Sequence, residues 1–387
     1  MKNIQIGLLW HTIGQGNLGV DALARANAAI VRNAAEKAGR SVSFVTMGFG
    51  EPKSIGDLPQ DIRVGPGPRI KEILRGKSDF YPTLRACDLV IDIGEGDSWT
   101  DIYGNWRFML QAGSKLATLA AGKPLILAPQ TMGPFNNPVR KAIASGIMNR
   151  AAAVFARDNL SMDYLKSAKI KAPMDEFIDV AFRLPFTRQP KLAGKDRIGF
   201  NVSGLLYKGG YSGSNELGLT IDYQRYCHAV IEKLLGKNDA EVHLISHVVS
   251  ANGGNDDDLP VMDELLKRYP ALIAAPAFSS ASEAKSYMSG LDAVIAARMH
   301  ACIGAFSAGV PVVPIAYSRK FNGLFGTLGY PYFIDGKSAS TEEAIDNTLL
   351  WLENRDDLHA KLEPALAFAE ERLASYEKRL TMIIRGL

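Results

Sequence analysis

Residues 292–315 read DAVIAARMHACIGAFSAGVPVVPI. Two short apolar runs, DAVIAA and VPVVPI, flank a segment of helical length that ends at a glycine, a valine and a proline. Continuous apolar strands of this kind are covered on both faces, which is typical of parallel sheets with crossover helices. The stretch therefore predicts a strand, a helix beginning near His300 and a second strand. Residues 299–317 contain no Asp, Glu, Lys or Arg, but the glycine and prolines inside them argue against a membrane span.

The same alternation of short apolar runs and longer amphipathic segments extends through the chain. Further strands are predicted at 3–9, 41–46, 86–94, 124–129, 152–156, 196–204, 241–246 and 271–276. A Pro- and Lys-rich stretch, LPFTRQPKLAGKD at 184–196, is the predicted linker. We therefore expect two Rossmann-like α/β domains, 1–185 and 186–387, facing one another across a cleft, with two helices in a tail from 341 to 385. Ligands of such sheets bind at the carboxyl ends of the strands.

Composition narrows the class of protein. The 387 residues are 47% hydrophobic and 22% charged, which is typical of globular proteins and excludes a disordered chain, a collagen or a coiled coil. A net charge of +3 is too small for a dedicated nucleic-acid binder. The three cysteines form no CxxC pair, and the start, MKNIQIGLLW, has the pattern of a strand and not of a signal peptide. A reducing, cytoplasmic setting is expected.

The first polar loop, HTIGQGNLGVD at 11–21, follows the first predicted strand. It matches GxGxxG literally, but no acidic ribose partner follows on a clear second strand end, so a dinucleotide site is not predicted. The loop is either a tight turn or a place where the backbone approaches substrate oxygens. Asn17 and Asp21 are its candidate binding residues.

The second polar loop, DIGEGDSWTD at 92–101, carries four acidic residues after an apolar strand. Buried carboxylates are costly unless they meet water, cations or hydroxyl groups. With Trp99, Tyr103 and Trp106 nearby, the loop could bind a sugar through Glu95 and Asp97. The alternative is a solvated loop whose Asp caps the next helix. Gln130, after the following strand, is expected to line the same cleft.

Cationic residues follow three of the predicted strands. Arg157 ends one of them, where an ion pair with Asp158 or another acid is favoured over a ligand contact. Arg298 and His300 flank Met299 at a strand end and helix start, where an anion is expected to compensate the cationic pair. Lys320, after the next strand, could add a cation there.

Metal sites are not predicted. His243 and His247 flank a strand end without further ligands at zinc-like spacing. The run Asp256-Asp257-Asp258 precedes a helix, so helix capping in a solvated turn is favoured over a metal or nucleotide-sugar site.

Taken together, five segments in this order resemble the polysaccharide pyruvyl transferase family. They are GNLGVDAL, DLVIDIGEGDSW, PLILAPQTMGPF, VFARDNLS and VIAARMHACIGAFSAGVPVVPIAYSRK. The resemblance implies a fold like that of the GT-B glycosyltransferases. It also implies transfer of a pyruvyl group from phosphoenolpyruvate to two sugar hydroxyls, with no cofactor beyond this co-substrate. The chain departs from the family pattern with Val20 where an acid is common and with Glu95 inside a usual Gly-Gly-Gly.

The resemblance assigns roles to individual residues. Arg157, Arg298, Met299 and Lys320 would bind phosphoenolpyruvate, and His300 would be the general acid. Asn17, Asp21, Glu95, Asp97 and Gln130 would bind the acceptor, with Glu95 or Asp97 as a candidate base. A sugar or lipid-linked oligosaccharide acceptor would bring the protein to the inner face of a membrane, and a homo-oligomer is compatible with the fold.

Two other functions remain open at this level. One is a GT-B glycosyltransferase with a nucleotide-sugar donor, for which Glu283 is the candidate ribose ligand. The other is a non-catalytic carbohydrate-binding homologue. The Arg298-Met299-His300 segment argues against the latter.

Overall fold

The computed structural model describes residues 3–14, 16–48, 58–68, 78–96, 99–237, 239–250 and 253–387. Asp97, predicted to contact the acceptor, lies outside these ranges. Two compact units are present. Unit 1 comprises Met1–Gln15, Leu23–Arg183 and Ala369–Leu387, and unit 2 comprises Gly16–Ala22 and Leu184–Phe368.

Unit 1 contains a parallel sheet in the order β3-β2-β1-β4-β5-β6-β7, counted over the described residues. Its strands are β1 (Asn3–Leu9), β2 (Ser41–Met47), β3 (Ile62–Val64), β4 (Leu89–Asp92), β5 (Leu125–Gln130), β6 (Ala153–Ala156) and β7 (Met174–Glu176). Its helices are most of α1 (Leu18–Lys37), then α2 (Phe80–Ala86), α3 (Gly104–Ala120), α4 (Pro138–Met148) and α5 (Asn159–Ser167). The central strands β4, β5 and β6 are buried along their whole length, as expected for a sheet covered on both faces.

Unit 2 contains a second parallel sheet, in the order β10-β9-β8-β11-β12-β13 within the described residues. Its strands are β8 (Asp196–Asn201), β9 (Ala240–Leu244), β10 (Ile273–Ala274), β11 (Ala293–Ala296), β12 (Val312–Ala316) and β13 (Ile334–Asp335). Its helices are α6 (Gly204–Tyr207), α7 (Tyr223–Leu235), α8 (Leu259–Arg268), α9 (Ala281–Met288), α10 (Met299–Ser307), α11 (Arg319–Thr327), α12 (Thr341–Glu353) and the first part of α13 (Arg355–Arg385). The parallel α/β fold predicted from the sequence is confirmed for both sheets.

The stretch that predicted the fold forms β11, α10 and β12. The two strands pair in parallel, with Val294 opposite Val312, and both are buried throughout. Gly309, with φ +81°, lies between α10 and β12, where the chain turns back toward the sheet. Over the described residues no helix is both long enough and apolar enough to cross a membrane.

The division of the chain differs from the sequence expectation at two places. The main boundary falls at 183/184, close to the predicted 185/186, but residues 16–22 group with unit 2 and residues 369–387 with unit 1. The end of α13 is tied to unit 1 by side chains. The hydroxyl of Tyr376 donates to Oδ1 of Asn27 at 3.0 Å, and Arg183 pairs with Glu377 at 2.7 Å. The tail predicted from 341 is helical, as expected, yet only its first part belongs to the second unit.

Candidate functional site

The segment Arg298-Met299-His300 begins α10 at the carboxyl end of β11. Arg298 has extended backbone angles and occupies the N-cap position. Its N–H donates to Oδ1 of Asn201 at 3.0 Å, and the amide nitrogen of Asn201 donates to the carbonyl of Ile245 at 2.9 Å. The ends of the neighbouring strands β8 and β9 therefore position Arg298, as expected for a site at this edge of a parallel sheet.

The guanidinium of Arg298 is buried, and carboxylates of its own unit surround it. Nη1 lies 2.6 Å from Oδ1 of Asp256, and Nη2 lies 2.6 Å from both Oδ1 of Asp258 and the carbonyl of Asp256. Nε donates to the same oxygen of Asp258 at 3.2 Å. The pKa of Arg298 is raised above its usual value. Burial alone would lower this pKa, but the carboxylates of Asp258 and Asp256 raise it by more, so the guanidinium stays charged. The anion that the sequence predicted beside this cation is present, and the chain itself supplies it.

The acidic run 256–258 was expected to be a capping turn exposed to solvent, and burial contradicts the solvent exposure of two of its residues. Asp258 stands at the N-cap of α8, but its side chain makes no capping bond, and it is buried. It accepts from the N–H groups of Gly204, His247 and Val248 at 2.9–3.0 Å. Asp257, also buried, accepts from the N–H of Leu259 at 3.0 Å. In the described ranges no cluster of three His, Cys, Asp or Glu residues could hold a metal ion.

His300 is half-buried and lies against the backbone of Gly19. A Cβ atom built on Gly19 would stand 2.5 Å from Nδ1 of His300 and 3.0 Å from Cγ. The imidazole thus occupies space that any side chain at position 19 would need. The short segment 16–22 is therefore part of the wall around His300.

Backbone and side-chain bonds fix this segment within unit 2. The N–H of Leu18 donates to the carbonyl of His247 at 3.1 Å, and Asn17 bridges to Val248. Oδ1 of Asn17 accepts from the N–H of Gly19 at 3.0 Å. Buried Asp21 accepts from the N–H of Ala281, the first residue of α9, at 2.9 Å. Asn17 and Asp21 were expected on the acceptor side of the N-terminal domain, but the structure groups them with Arg298 and His300.

His247 adds a neutral imidazole to this region. It is buried, and burial together with the charges of His300 and Arg298 lowers its pKa to about 3. The sequence did not predict that His247 lies here, because the loop after β9 and segment 16–22 come together only in the folded chain. His247 therefore belongs to the site as a structural neighbour of Arg298 and His300.

The other residues predicted in the second half lie on neighbouring helices. Met299 is buried in the first turn of α10, and Lys320 is half-buried in the first turn of α11. Glu283 accepts from the N–H of Ser279 at 2.8 Å and so caps α9. With Arg197 and Tyr287 it also lines a cavity of about 720 Å³. The Glu283 carboxylate is therefore hydrogen-bonded to the backbone just before its own helix.

In unit 1, Arg157 follows β6 and forms a buried ion pair. Nη1 lies 2.7 Å from Oδ2 of Asp179, and Nε donates to Oγ1 of Thr131 at 2.9 Å. The sequence favoured an ion pair of Arg157 with an acid over a ligand contact. The structure confirms the ion pair, with Asp179 as the acid. Asp158 caps α5 by accepting from the N–H of Ser161 at 2.7 Å.

Glu95 lies in a strained turn after β4. Gly94, Glu95 and Gly96 all have positive φ, at +68°, +54° and +79°. A non-glycine residue in this conformation costs of order 1–2 kcal/mol. The Glu95 carboxylate accepts from the hydroxyl of Thr12 and from Nη2 of Arg107, the latter at 3.0 Å. These contacts offset the strain and hold the buried carboxylate in place.

Asp92, Gln130 and Trp99 make structural contacts beneath the second polar loop. Fully buried Asp92 pairs with fully buried Lys115 at 3.2 Å, and Gln130 donates to Oδ2 of Asp92 at 3.2 Å. Burial raises the pKa of Asp92 and lowers that of Lys115, while each partner opposes the shift of the other. Trp99, expected at a sugar-binding surface, is buried and stacks on Phe108 with ring centroids 5.5 Å apart. Gln130 thus lies beneath the loop instead of at its surface.

Two parallel α/β units of this kind define the GT-B-like fold, which several solved structures share. HepE from Anabaena, solved with UDP-glucose, is 13% identical with a TM-score of 0.56 over 99% of this chain and 100% of that one. The UDP-GlcNAc 2-epimerase of Neisseria meningitidis, solved with UDP-GlcNAc, is 12% identical with a TM-score of 0.58 over 99% and 100%. Sucrose-phosphate synthase from Thermosynechococcus elongatus is 12% identical with a TM-score of 0.59 over 99% and 100%. These similarities concern the fold alone.

The family follows from the sequence. Residues 17–319 match the model of the polysaccharide pyruvyl transferase family, and the chain belongs to that family. A curated relative, the amylovoran biosynthesis protein AmsJ of Erwinia amylovora, is 24% identical over 269 residues, which are 65% of this chain. The match spans 62% of the relative's own length.

Proposed function

We propose that the protein transfers a pyruvyl group from phosphoenolpyruvate to two hydroxyls of a sugar in a polysaccharide or its precursor. The two hydroxyl oxygens bond to C2 of the donor, and the bond from C2 to the phosphate oxygen breaks. One hydroxyl proton is transferred to C3, which becomes a methyl group, and the other leaves with phosphate. The family membership supports the transferase class, and the similarity to AmsJ supports polysaccharide synthesis as the setting.

The observation that carries the proposal is the pairing of Arg298 and His300 at the start of α10. A helix N-terminus attracts anions through its exposed N–H groups, and arginine adds a fixed array of donors for phosphate or carboxylate. An imidazole two residues along the chain can protonate C3 or the departing phosphate. We assign His300 as the general acid, with Arg298, Met299 and Lys320 at the donor.

The other proposed residues come from unit 1 and from segment 16–22 of unit 2. Arg157 is the second arginine assigned to the donor, and its guanidinium lies 2.7 Å from Oδ2 of Asp179. Glu95 and Asp97 are assigned to acceptor binding, with buried Gln130 supporting their loop through Asp92, and Asn17 and Asp21 shape the wall beside His300. An acceptor carried on a lipid would require peripheral membrane contact. No cofactor is required for this reaction, because arginine side chains can stabilise the leaving phosphate.

The decisive experiment measures phosphate release from phosphoenolpyruvate in the presence of a pyranose acceptor. His300→Gln should lower the rate by at least a hundredfold, because general acid catalysis typically contributes 10²–10⁴-fold. His359→Gln is the matched control, since His359 lies on α13 away from this segment in sequence, and it should retain the activity. Equal rates in both variants would refute the acid role of His300.

A binding measurement separates the proposal from the nucleotide-sugar alternative. Phosphoenolpyruvate should raise the melting temperature of the wild-type protein by mass action, whereas UDP and UDP-glucose should leave it unchanged. Stabilisation by UDP without any response to phosphoenolpyruvate would instead favour a glycosyltransferase.

A further inference from the structure

The two carboxylates on Arg298 differ in exposure. The side chain of Asp258 is 1% exposed, whereas that of Asp256 is 37% exposed. Both approach the guanidinium to 2.6 Å. One anion is therefore enclosed by the protein, and the other stands at its surface.

Asp258 cannot leave Arg298 without breaking the local fold. Its two oxygens accept from three backbone N–H groups, on Gly204, His247 and Val248, in addition to the guanidinium. These donors come from the loops after β8 and β9. Removing the carboxylate would leave several buried polar groups without acceptors, which is costly.

The main-chain carbonyl of Asp256 accepts from Nη2 of Arg298 at 2.6 Å, but the Asp256 carboxylate has no such anchor. Within the part of the chain that the structure describes, its carboxylate contacts Nη1 of Arg298 and makes no other hydrogen bond. Ion pairs with exposed partners are weak and are exchanged easily for other anions. The carboxylate therefore occupies a guanidinium position that an incoming anion would need.

We propose that the Asp256 carboxylate is an internal anion that occupies Arg298 in the unliganded protein and is displaced by the anionic group of the donor. This inference rests on the proposed function in taking Arg298 as a donor ligand. A phosphate group carries more negative charge than one carboxylate and forms stronger hydrogen bonds to arginine, so it displaces Asp256. A neutral sugar does not. Asp256 thereby sets the selectivity of the site for strongly anionic ligands.

Asp256 and the ligand compete for Arg298. The apparent affinity for the ligand is therefore the intrinsic affinity multiplied by the fraction of molecules in which Asp256 does not occupy Arg298. Asp256→Asn removes the charge at nearly constant size, and Asp256→Ala removes the acceptor as well. Both should bind phosphoenolpyruvate and inorganic phosphate about three- to tenfold more tightly than the wild type in titration calorimetry. Turnover should show a lower KM with little change in kcat.

Asp263→Asn is the matched control for net charge. Asp263 is exposed on α8, five residues beyond the acidic run, and the structure gives it no hydrogen bond or ion pair among the described residues. The Asp263→Asn substitution changes the net charge of unit 2 by the same amount as Asp256→Asn. It should leave the affinities for phosphoenolpyruvate and for inorganic phosphate unchanged. An equal gain in this control would show a general charge effect and overturn the competition.

The outcomes distinguish this inference from the proposed function. If phosphoenolpyruvate turns over but Asp256→Asn and Asp256→Ala leave KM unchanged, the competition is refuted and the transferase assignment stands. If phosphoenolpyruvate is not a substrate but inorganic phosphate binds the two variants more tightly, the competition stands and the donor assignment fails. Absence of any gain with either ligand overturns the inference.

Discussion

The imidazole of His300 occupies the space where a side chain on Gly19 would stand. A Cβ atom there would lie 2.5 Å from Nδ1 of His300 and 3.1 Å from Oδ1 of Asn17. Gly19 and His300 are far apart in the sequence but lie in the same compact unit. Gly19, in the first turn of α1, thus contributes space for the proposed acid.

Replacing Gly19 by alanine should displace the ring of His300 and lower the rate of phosphate release at least tenfold. Misplacement of a catalytic group by about 1 Å is enough for such a loss. Gly326→Ala is the control, since a Cβ at Gly326 on α11 meets nothing within 4 Å. Activity assays with circular dichroism melting of both variants test this expectation. Full activity in Gly19→Ala would show that the position of His300 is not critical.

Asp258→Asn should destabilise the protein strongly. The substitution leaves buried Arg298 with a weaker partner and disturbs the bonds from Gly204, His247 and Val248. Breaking a buried ion pair by removing one charge costs about 3–5 kcal/mol. Denaturant unfolding should show a loss of this order, whereas Asp256→Asn should cost less than about 1 kcal/mol. Similar losses in both would contradict the distinction between the anchored and the exposed carboxylate.

Glu95 provides a test of backbone strain through a pair of variants. Glu95→Ala and Glu95→Gly both remove the contacts with Thr12 and Arg107, but only glycine adopts φ +54° without strain. The glycine variant should therefore be more stable than the alanine variant by about 1 kcal/mol. Equilibrium unfolding in denaturant measures the difference. An alanine variant as stable as the glycine variant would show that the turn relaxes.

The stability of unit 1 should fall in acid because of His11. Burial lowers the pKa of His11 to about 4; its Nδ1 lies 2.9 Å from the carbonyl of Leu9 and its Nε2 2.9 Å from the amide nitrogen of Asn27. A second ring proton would point at the Asn27 amide donors. The unfolded chain takes up this proton near pH 6.5, so stability is complete above that value and decreases toward pH 4.

The expected size follows from the proton linkage. Between pH 7 and pH 5 the wild type should lose about 2 kcal/mol more of its unfolding free energy than His11→Gln. Chemical denaturation at the two pH values gives both losses. Since His247 also has a lowered pKa, the variant should retain part of the acid sensitivity. Equal losses in the two proteins would mean that His11 is not the titrating group.

Short apolar strands made most of the fold predictable. The stretch 292–315 formed the predicted strand, helix and strand, because strands buried on both faces must be apolar throughout. The short elements β3, β7 and β13 carry too few residues to show a period, and sequence analysis missed them. The end of α13 joined unit 1 through Tyr376 and Glu377, whose partners lie in the first half of the chain.

The candidate site was predictable only in part. The Arg298–His300 pair could be found because a cationic segment at a helix start needs an anion. Its internal partner could not, since an acidic run before a helix has the same pattern whether it is a solvated cap or a buried ion pair. Gln130 and Trp99 were placed at a surface by their sequence neighbours, but the structure buries both.

The sequence by itself determined the two parallel sheets and the family, because these depend on local hydrophobic patterns and on motifs read along the chain. The tertiary structure alone decided which charges meet. Asp256 and Asp258 lie forty and more residues before Arg298, and Gly19 lies in the first turn of α1. Whether a carboxylate caps a helix, pairs with an arginine or faces water depends on burial and on donors from other strands, and neither quantity is encoded in local sequence.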